Sequence, residues 1–156
     1  MNEFFGKNII SVKDFDKRQF ESIFDSVDKI IGMSRNQRYE IAKGMILGYM
    51  FFEASTRTRL SFEAAMGLVG GTSLGISDIV TSSVKKGETL ADTIKILSSY
   101  ADVLVLRHSL DGSSRFAAEV ADKPVINAGS GTEEHPTQTI LDLFTIRKEK
   151  KKIDGL

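Results

Sequence analysis

Apolar positions change their spacing from segment to segment along the chain, and the changes mark out alternating helices and strands. Phe20, Ile23, Phe24, Val27, Ile30 and Ile31 recur at helical spacing, which predicts an amphipathic helix over about residues 16–31. Asp16 and Gln19 have the spacing of a capping box, and Gly32 offers a stop. Residues 44–52 form a short continuous apolar run, which fits a strand covered on both faces. Across residues 57–71, Leu60, Ala64 and Leu68 fall on one side of a second helix, ended by Gly70 and Gly71. A brief strand over 72–76 leads into the polar stretch 77–88, rich in Ser, Lys and Gly, which reads as a loop. Leu90, Ile94 and Leu97 space another helix; 103–107 is a strand, 113–121 a short helix and 124–128 a strand. Residues 128–135 read as a loop. Pro136 then suits the first position of a last helix that runs into the Lys-rich end.

Strands separated by helices imply parallel pairing through right-handed crossovers. The expected fold is α/β, a three-layer sandwich around a central, mostly parallel four-stranded sheet, with residues 1–156 as one domain. Composition agrees: 41% hydrophobic and 27% charged residues are ordinary for a soluble globular chain. Lys+Arg and Asp+Glu are 21 each, so no bulk field draws the chain to nucleic acid or to a membrane, and neither is expected as a partner. Any anion site must be built locally. There is no cysteine, which excludes thiolate nucleophiles and zinc–thiolate sites, and with only His108 and His135 a His-rich metal site is not expected. The N-terminus lacks the pattern of a signal peptide, and the 44–52 run is far short of the roughly 20 residues of a membrane span, so the expected location is cytoplasmic.

In such sheets ligands bind beyond the carboxyl ends of the strands. The unusual polar residues fall there. Ser55, Thr56, Arg57 and Thr58 crowd the first turn of a helix directly after a strand. Free N–H groups at a helix start favour an anion, hydroxyls add donors, and Arg offers a planar fork for phosphate oxygens. The bland alternative is a capping hydroxyl with solvated arginines, but cations in a first turn oppose the helix dipole unless an anion offsets them. Arg107 ends a buried strand, where its charge requires a partner. His135 and Gln138 sit at another helix start: imidazole can donate to a carbonyl oxygen, and carboxamide can accept from an amide. Ser82, Lys85 and Lys86 lie in the 77–88 loop, which on its own reads as solvated surface. No P-loop pattern occurs, and Gly129-Ser130-Gly131 is only a fragment of a dinucleotide fingerprint. One pole of such a site suits phosphate and the other a small carbonyl–amide group, so a phosphate joined directly to a carbamoyl group would use both.

The segments FFEASTRTRLSFE, VKKGETLADTIKILSSYADVLVLRH and NAGSGTEEHPTQTILDLFTI resemble the carbamoyl-phosphate half of aspartate carbamoyltransferase catalytic chains. The resemblance covers nearly the whole chain. Ornithine carbamoyltransferases share the STRTR and HP-x-Q blocks, while the KKGETLADT run and Arg107-His108 look more like the aspartate enzyme. The resemblance implies that Ser55, Thr56, Arg57 and Thr58 hold phosphate. It implies that Arg107 bridges phosphate and carbamoyl oxygen, that Thr58 and His135 join in polarising that carbonyl, and that Gln138 binds the carbamoyl amino group. It further implies no metal or organic cofactor, and a homotrimer in which Ser82 and Lys86 reach a neighbouring subunit's site. It leaves room for a regulatory chain. Family members are about twice this length. The aspartate-binding second domain is therefore expected to be absent, Glu53 is expected to lack the partner that domain would supply, and the chain is expected to bind without turnover. The alternatives are the ornithine enzyme's corresponding half and a non-catalytic partner of an intact homologue.

Overall fold

The computed structural model describes residues 3–77, 87–132 and 134–153. Its elements run α1 (Lys17–Gly32), α2 (Arg35–Tyr39), β1 (Ile46–Phe51), α3 (Thr56–Leu68), β2 (Thr72–Ile76), α4 (Leu90–Tyr100), β3 (Val103–His108), α5 (Ser113–Val120), β4 (Val125–Ser130) and α6 (Pro136–Lys150). The four strands form one sheet in the order β2-β1-β3-β4, and every pairing is parallel. The chain steps outward from β1 to β2 through α3, returns past β1 through α4 to β3, and continues through α5 to β4. Direction therefore reverses between β1 and β3. Right-handed crossovers then require α3 on one face and α4 and α5 on the other.

The buried side chains obey that requirement. Met50, Leu104, Leu106 and Val125 pack with Ile94 and Leu97 of α4 and Ala117 of α5. Leu47, Phe51, Val105 and Ala128 pack with Met66 of α3, flanked by Phe62 and Val69. Successive residues of β3 thus serve opposite layers, as strand pleating dictates. The three-layer α/β sandwich expected from the sequence is the architecture observed.

Local chemistry sets the ends of the elements. Asp16 accepts from the Gln19 amide at 2.8 Å, and the Gln19 side chain accepts from the Asp16 amide at 2.9 Å, closing the expected box at α1. Gly32 is the last helical residue rather than a stop beyond it; the chain leaves extended through Met33. At the end of α3, Gly70 takes φ +90°, and a Cβ there would fall 1.7 Å from the Tyr39 carbonyl oxygen, so only glycine passes.

The structure departs from the sequence expectations, or adds to them, at several places. α2 lies where no element is expected; it is too short for a periodic signal and is started by a Ser34–Gln37 box. The row Leu60, Ala64, Leu68 on α3 faces outward, and Phe62, Met66 and Val69 supply the inner face. β3 and β4 extend to His108 and Ser130, past the ends read from apolar residues, because the two strands pair again at His108 and Ser130 after a shift of register beyond Leu106. The N-terminal segment, also unassigned in sequence, lies along the outer edge of β4. The Ile9 amide donates to the Val125 carbonyl and the Asn127 amide to the Ile9 carbonyl, both at 2.8 Å.

Candidate active site

An open cleft of about 890 Å³ lies where the carboxyl ends of β1 and β3 meet the starts of α3 and α6. Ser55, Thr56, Arg57, Thr58, Arg107, His135 and Gln138 all line it. Every candidate within the described residues is thus gathered at the point where the strand order reverses. Ser82 and Lys86 lie outside the described residues. Thr137 also lines the cleft. Sequence reasoning passed over it because a Thr behind a His-Pro start looks like an ordinary first-turn residue.

The start of α3 is built differently from its neighbours. Asp16, Ser34 and Thr89 each cap their own helices with side-chain acceptors, whereas Ser55 makes no side-chain cap bond and α3 has no acidic residue in its first turn. The capping-hydroxyl reading therefore fails, and first-turn donors are left for another acceptor. The two arginines divide: Arg59 pairs with Glu63 at 3.4 Å, while Arg57 is exposed in the cleft wall with no ion-pair partner among the described residues.

Arg107 is held on two sides. One terminal nitrogen donates to the Ala128 carbonyl at 3.1 Å and the other to Glu53 Oε1 at 2.9 Å. Its buried Nε has no acceptor among the described residues. The expectation that Glu53 lacks a partner is thus corrected. β1 and β3 are registered so that Phe51 lies opposite Arg107, and Glu53, just beyond, reaches the guanidinium. A strand-end cation needs a counterion, and Glu53 supplies one. Gly129, at φ +118°, lies against the same group: a Cβ there would sit 2.7 Å from an Arg107 terminal nitrogen.

His135 is the N-cap of α6, and its Nδ1 accepts from the Gln138 amide at 3.4 Å. An accepting Nδ1 carries no proton, so the Thr137 hydroxyl, 3.2 Å away, donates to it as well. The remaining proton sits on Nε2. Burial lowers the imidazole pKa below its ordinary value and the Arg107 charge lowers it further, against a smaller opposing pull from Asp142. The ring is therefore a neutral N–H donor at pH 7. Gln138 donates from Nε2 to Asp142 at 2.9 Å, leaving its carbonyl oxygen as an acceptor. His108, the other half of the Arg-His pair, does not line the cleft. Its ring lies 5.2 Å from that of Phe52, and its Nδ1 accepts from the Leu110 amide at 3.0 Å. Among the described residues no cluster of His, Cys, Asp or Glu has the arrangement of a metal site.

The aspartate/ornithine carbamoyltransferase carbamoyl-P binding domain model matches residues 7–148. The chain belongs to this family. The carbamoyltransferase relatives include the aspartate carbamoyltransferase catalytic subunit of Nitrosopumilus maritimus, 70% identical over 156 residues, which are 100% of this chain and 50% of that protein. The catalytic subunit of M. jannaschii aspartate transcarbamoylase superimposes with a TM-score of 0.89 at 47% identity, over 96% of this chain and 49% of that one. Aspartate transcarbamoylase from Trypanosoma cruzi in complex with carbamoyl phosphate and aspartate gives 0.88 at 40% identity, over 97% and 50%. The chain therefore spans about half the length of the carbamoyltransferases it matches. No helix among the described residues is long and apolar enough to cross a membrane.

Proposed function

We propose that this chain is the carbamoyl-phosphate-binding half of a cytoplasmic aspartate carbamoyltransferase of pyrimidine biosynthesis. The observation that carries the reading is the meeting, in one cleft, of the uncapped start of α3, Arg57, Arg107 and the neutral Nε2–H donor of His135. Phosphate would lie at α3, held by Ser55, Thr56, Arg57 and Thr58, and would take Arg107 from Glu53. The carbonyl oxygen would face Arg107, His135 and Thr58, and the carbamoyl amino group would donate to the Gln138 carbonyl oxygen.

In the complete enzyme the aspartate amine attacks the carbamoyl carbon. A C–N bond forms and the carbonyl electrons move onto oxygen; they then return to re-form the carbonyl as the C–O bond to phosphate breaks and the amine's proton passes to the departing phosphate. Phosphate departs with the bonding pair. Donors fixed on the developing oxyanion lower the barrier, because the site needs no reorganisation as charge appears. Arg57 and Arg107 stabilise the leaving phosphate. The relatives are about twice as long as this chain, and the residues gathered in this cleft are assigned to the carbamoyl-phosphate side of that reaction.

Calorimetry tests this reading. Carbamoyl phosphate should bind the chain, and Arg57→Ala or Arg107→Ala should weaken binding roughly ten- to hundredfold, the worth of a charge-assisted hydrogen bond. No heat at millimolar ligand would reject the reading.

The chain is also proposed to form a homotrimer with Ser82 and Lys86 completing a neighbour's site. The support is an apolar edge. Leu60 and Leu68 of α3 are 49% and 56% exposed, and Leu74 lies on the exposed edge strand β2. Such an edge is a surface that proteins ordinarily cover. Sedimentation showing only monomer at tens of micromolar would exclude it.

A further inference from the structure

We propose that Glu134 is a positioning residue for His135, and that through it the N-terminal segment fixes the carbonyl-binding end of the cleft. This rests on the reading that the cleft takes carbamoyl phosphate. Glu134 does not line the cleft. Its two carboxylate oxygens are used elsewhere: the Ser11 hydroxyl donates to Oε1 at 2.7 Å, and the Val12 amide donates to Oε2 at 2.9 Å. Hydrogen bonds to an ionised acceptor are among the stronger ones, and two from one turn fix the carboxylate in orientation as well as place. Its carbonyl also accepts from the Ser130 amide at 3.4 Å, closing the loop back on β4. The residue whose ring enters the cleft is therefore joined by one peptide bond to a carboxylate anchored 122 and 123 residues away in sequence.

The anchor is itself rigid. Ser11 is 3% exposed, and its hydroxyl accepts from the Lys13 amide at 3.0 Å while donating to Glu134. Behind it the Asn127 side chain, 1% exposed, donates to the Ile10 carbonyl at 2.9 Å and accepts from the Gly129 amide at 2.8 Å. Asn127 thus binds the segment to the strand end that carries the Ala128 carbonyl, the acceptor holding Arg107. The capping bonds at Nδ1 set which His135 nitrogen donates. Glu134 sets where that nitrogen lies.

A purely structural role and a positioning role differ in which ligand feels the change. Inorganic phosphate has no carbonyl for His135, so displacement of the ring should weaken carbamoyl phosphate alone. Calorimetry on the full chain with both ligands, beside thermal melting, reads this. Glu134→Ala should lower carbamoyl phosphate affinity about five- to tenfold, the worth of one hydrogen bond, and leave phosphate affinity unchanged. Glu134→Gln, whose amide oxygen still accepts one of the two bonds, should recover most of the loss. Ser11→Ala, which removes a single bond and is the milder change should Glu134→Ala not fold, should move the ratio the same way. Variants that keep the wild-type ratio of the two affinities would overturn the assignment. Wild-type chain that binds no carbamoyl phosphate would overturn the function instead. The anchor would then be read without ligand, from His135 ring resonances that shift in Glu134→Ala, or in Ser11→Ala should that variant not fold; unmoved resonances would overturn it.

Discussion

His135 serves as helix cap and as cleft donor, and each role constrains the other. An imidazole whose Nδ1 must accept from α6 can present only Nε2–H to a ligand. Its pKa is depressed by burial first and by Arg107 second, so its NMR titration midpoint should fall below the ordinary 6.5. Arg107→Ala should raise the midpoint part of the way, since burial remains; an unchanged midpoint would detach the two residues. The sign for stability follows. Above about pH 6.5 the ring is neutral in folded and unfolded chains and contributes nothing. As pH falls through the unfolded value the unfolded chain takes the proton first, so stability declines until the folded pKa is passed. Glu53 poses a separate test, because it occupies the guanidinium that phosphate is proposed to use. Glu53→Gln should tighten carbamoyl phosphate binding about two- to fivefold, the scale of a partly exposed ion pair. Unchanged affinity would show that Glu53 does not compete. The chemical types at these positions were legible in the sequence. That Glu53 meets Arg107 was not, because the contact depends on the register between β1 and β3 and not on any local pattern.

Arg147 joins the two ends of the chain's described course. It lies on α6, pairs with Glu21 at 3.0 Å and with Asp28 and Asp25 of α1, and stacks its guanidinium over Phe24 and Phe144 at 5.1 and 5.7 Å. The long stem packs as well as the charge pairs, so Arg147→Met should keep much of the contact area and lose the ionic part. The expected cost is about 1 kcal/mol, or roughly 2–4 °C in melting temperature for a domain of this size. The gap between wild type and variant should narrow in molar salt. A gap that salt does not alter would assign the effect to packing. The elements that Arg147 ties were both readable: α1 from its spacing and box, α6 from its proline start. Strands β1, β3 and β4 were readable as apolar runs. α2 was not, since five residues carry no period. On α3 the spacing of Leu60, Ala64 and Leu68 was real, yet periodicity shows that residues share a face without showing which face turns inward. Phe62 and Met66, larger and nearer the sheet, took the core.

The outward row on α3 and the outer edge of β2, which has no strand partner among the described residues, bear on assembly, because an exposed apolar strip beside a strand edge is a liability for a lone chain. If three chains cover it, and if Lys86 enters a neighbour's cleft, then no binding site belongs to one chain. Arg57→Ala and Lys86→Ala chains should each bind carbamoyl phosphate weakly. A site needs Arg57 from one subunit and Lys86 from the next, so a mixed ring can pair the intact Arg57 of one variant with the intact Lys86 of the other. Dissociating an equal mixture and reassembling it should restore wild-type affinity at about one site in four, by random assortment in a closed ring. Calorimetry would report this as a high-affinity fraction absent from either parent. Were sites built within single chains, every site would keep one defect and mixing would restore none. Were the protein monomeric, mixing would again restore none, and sedimentation separates that case from a trimer of independent sites. The Leu60 and Leu68 strip supplies a control. Leu68→Glu places charge in the proposed interface while leaving the inner face of α3 untouched, so it should abolish the restored fraction without unfolding the chain.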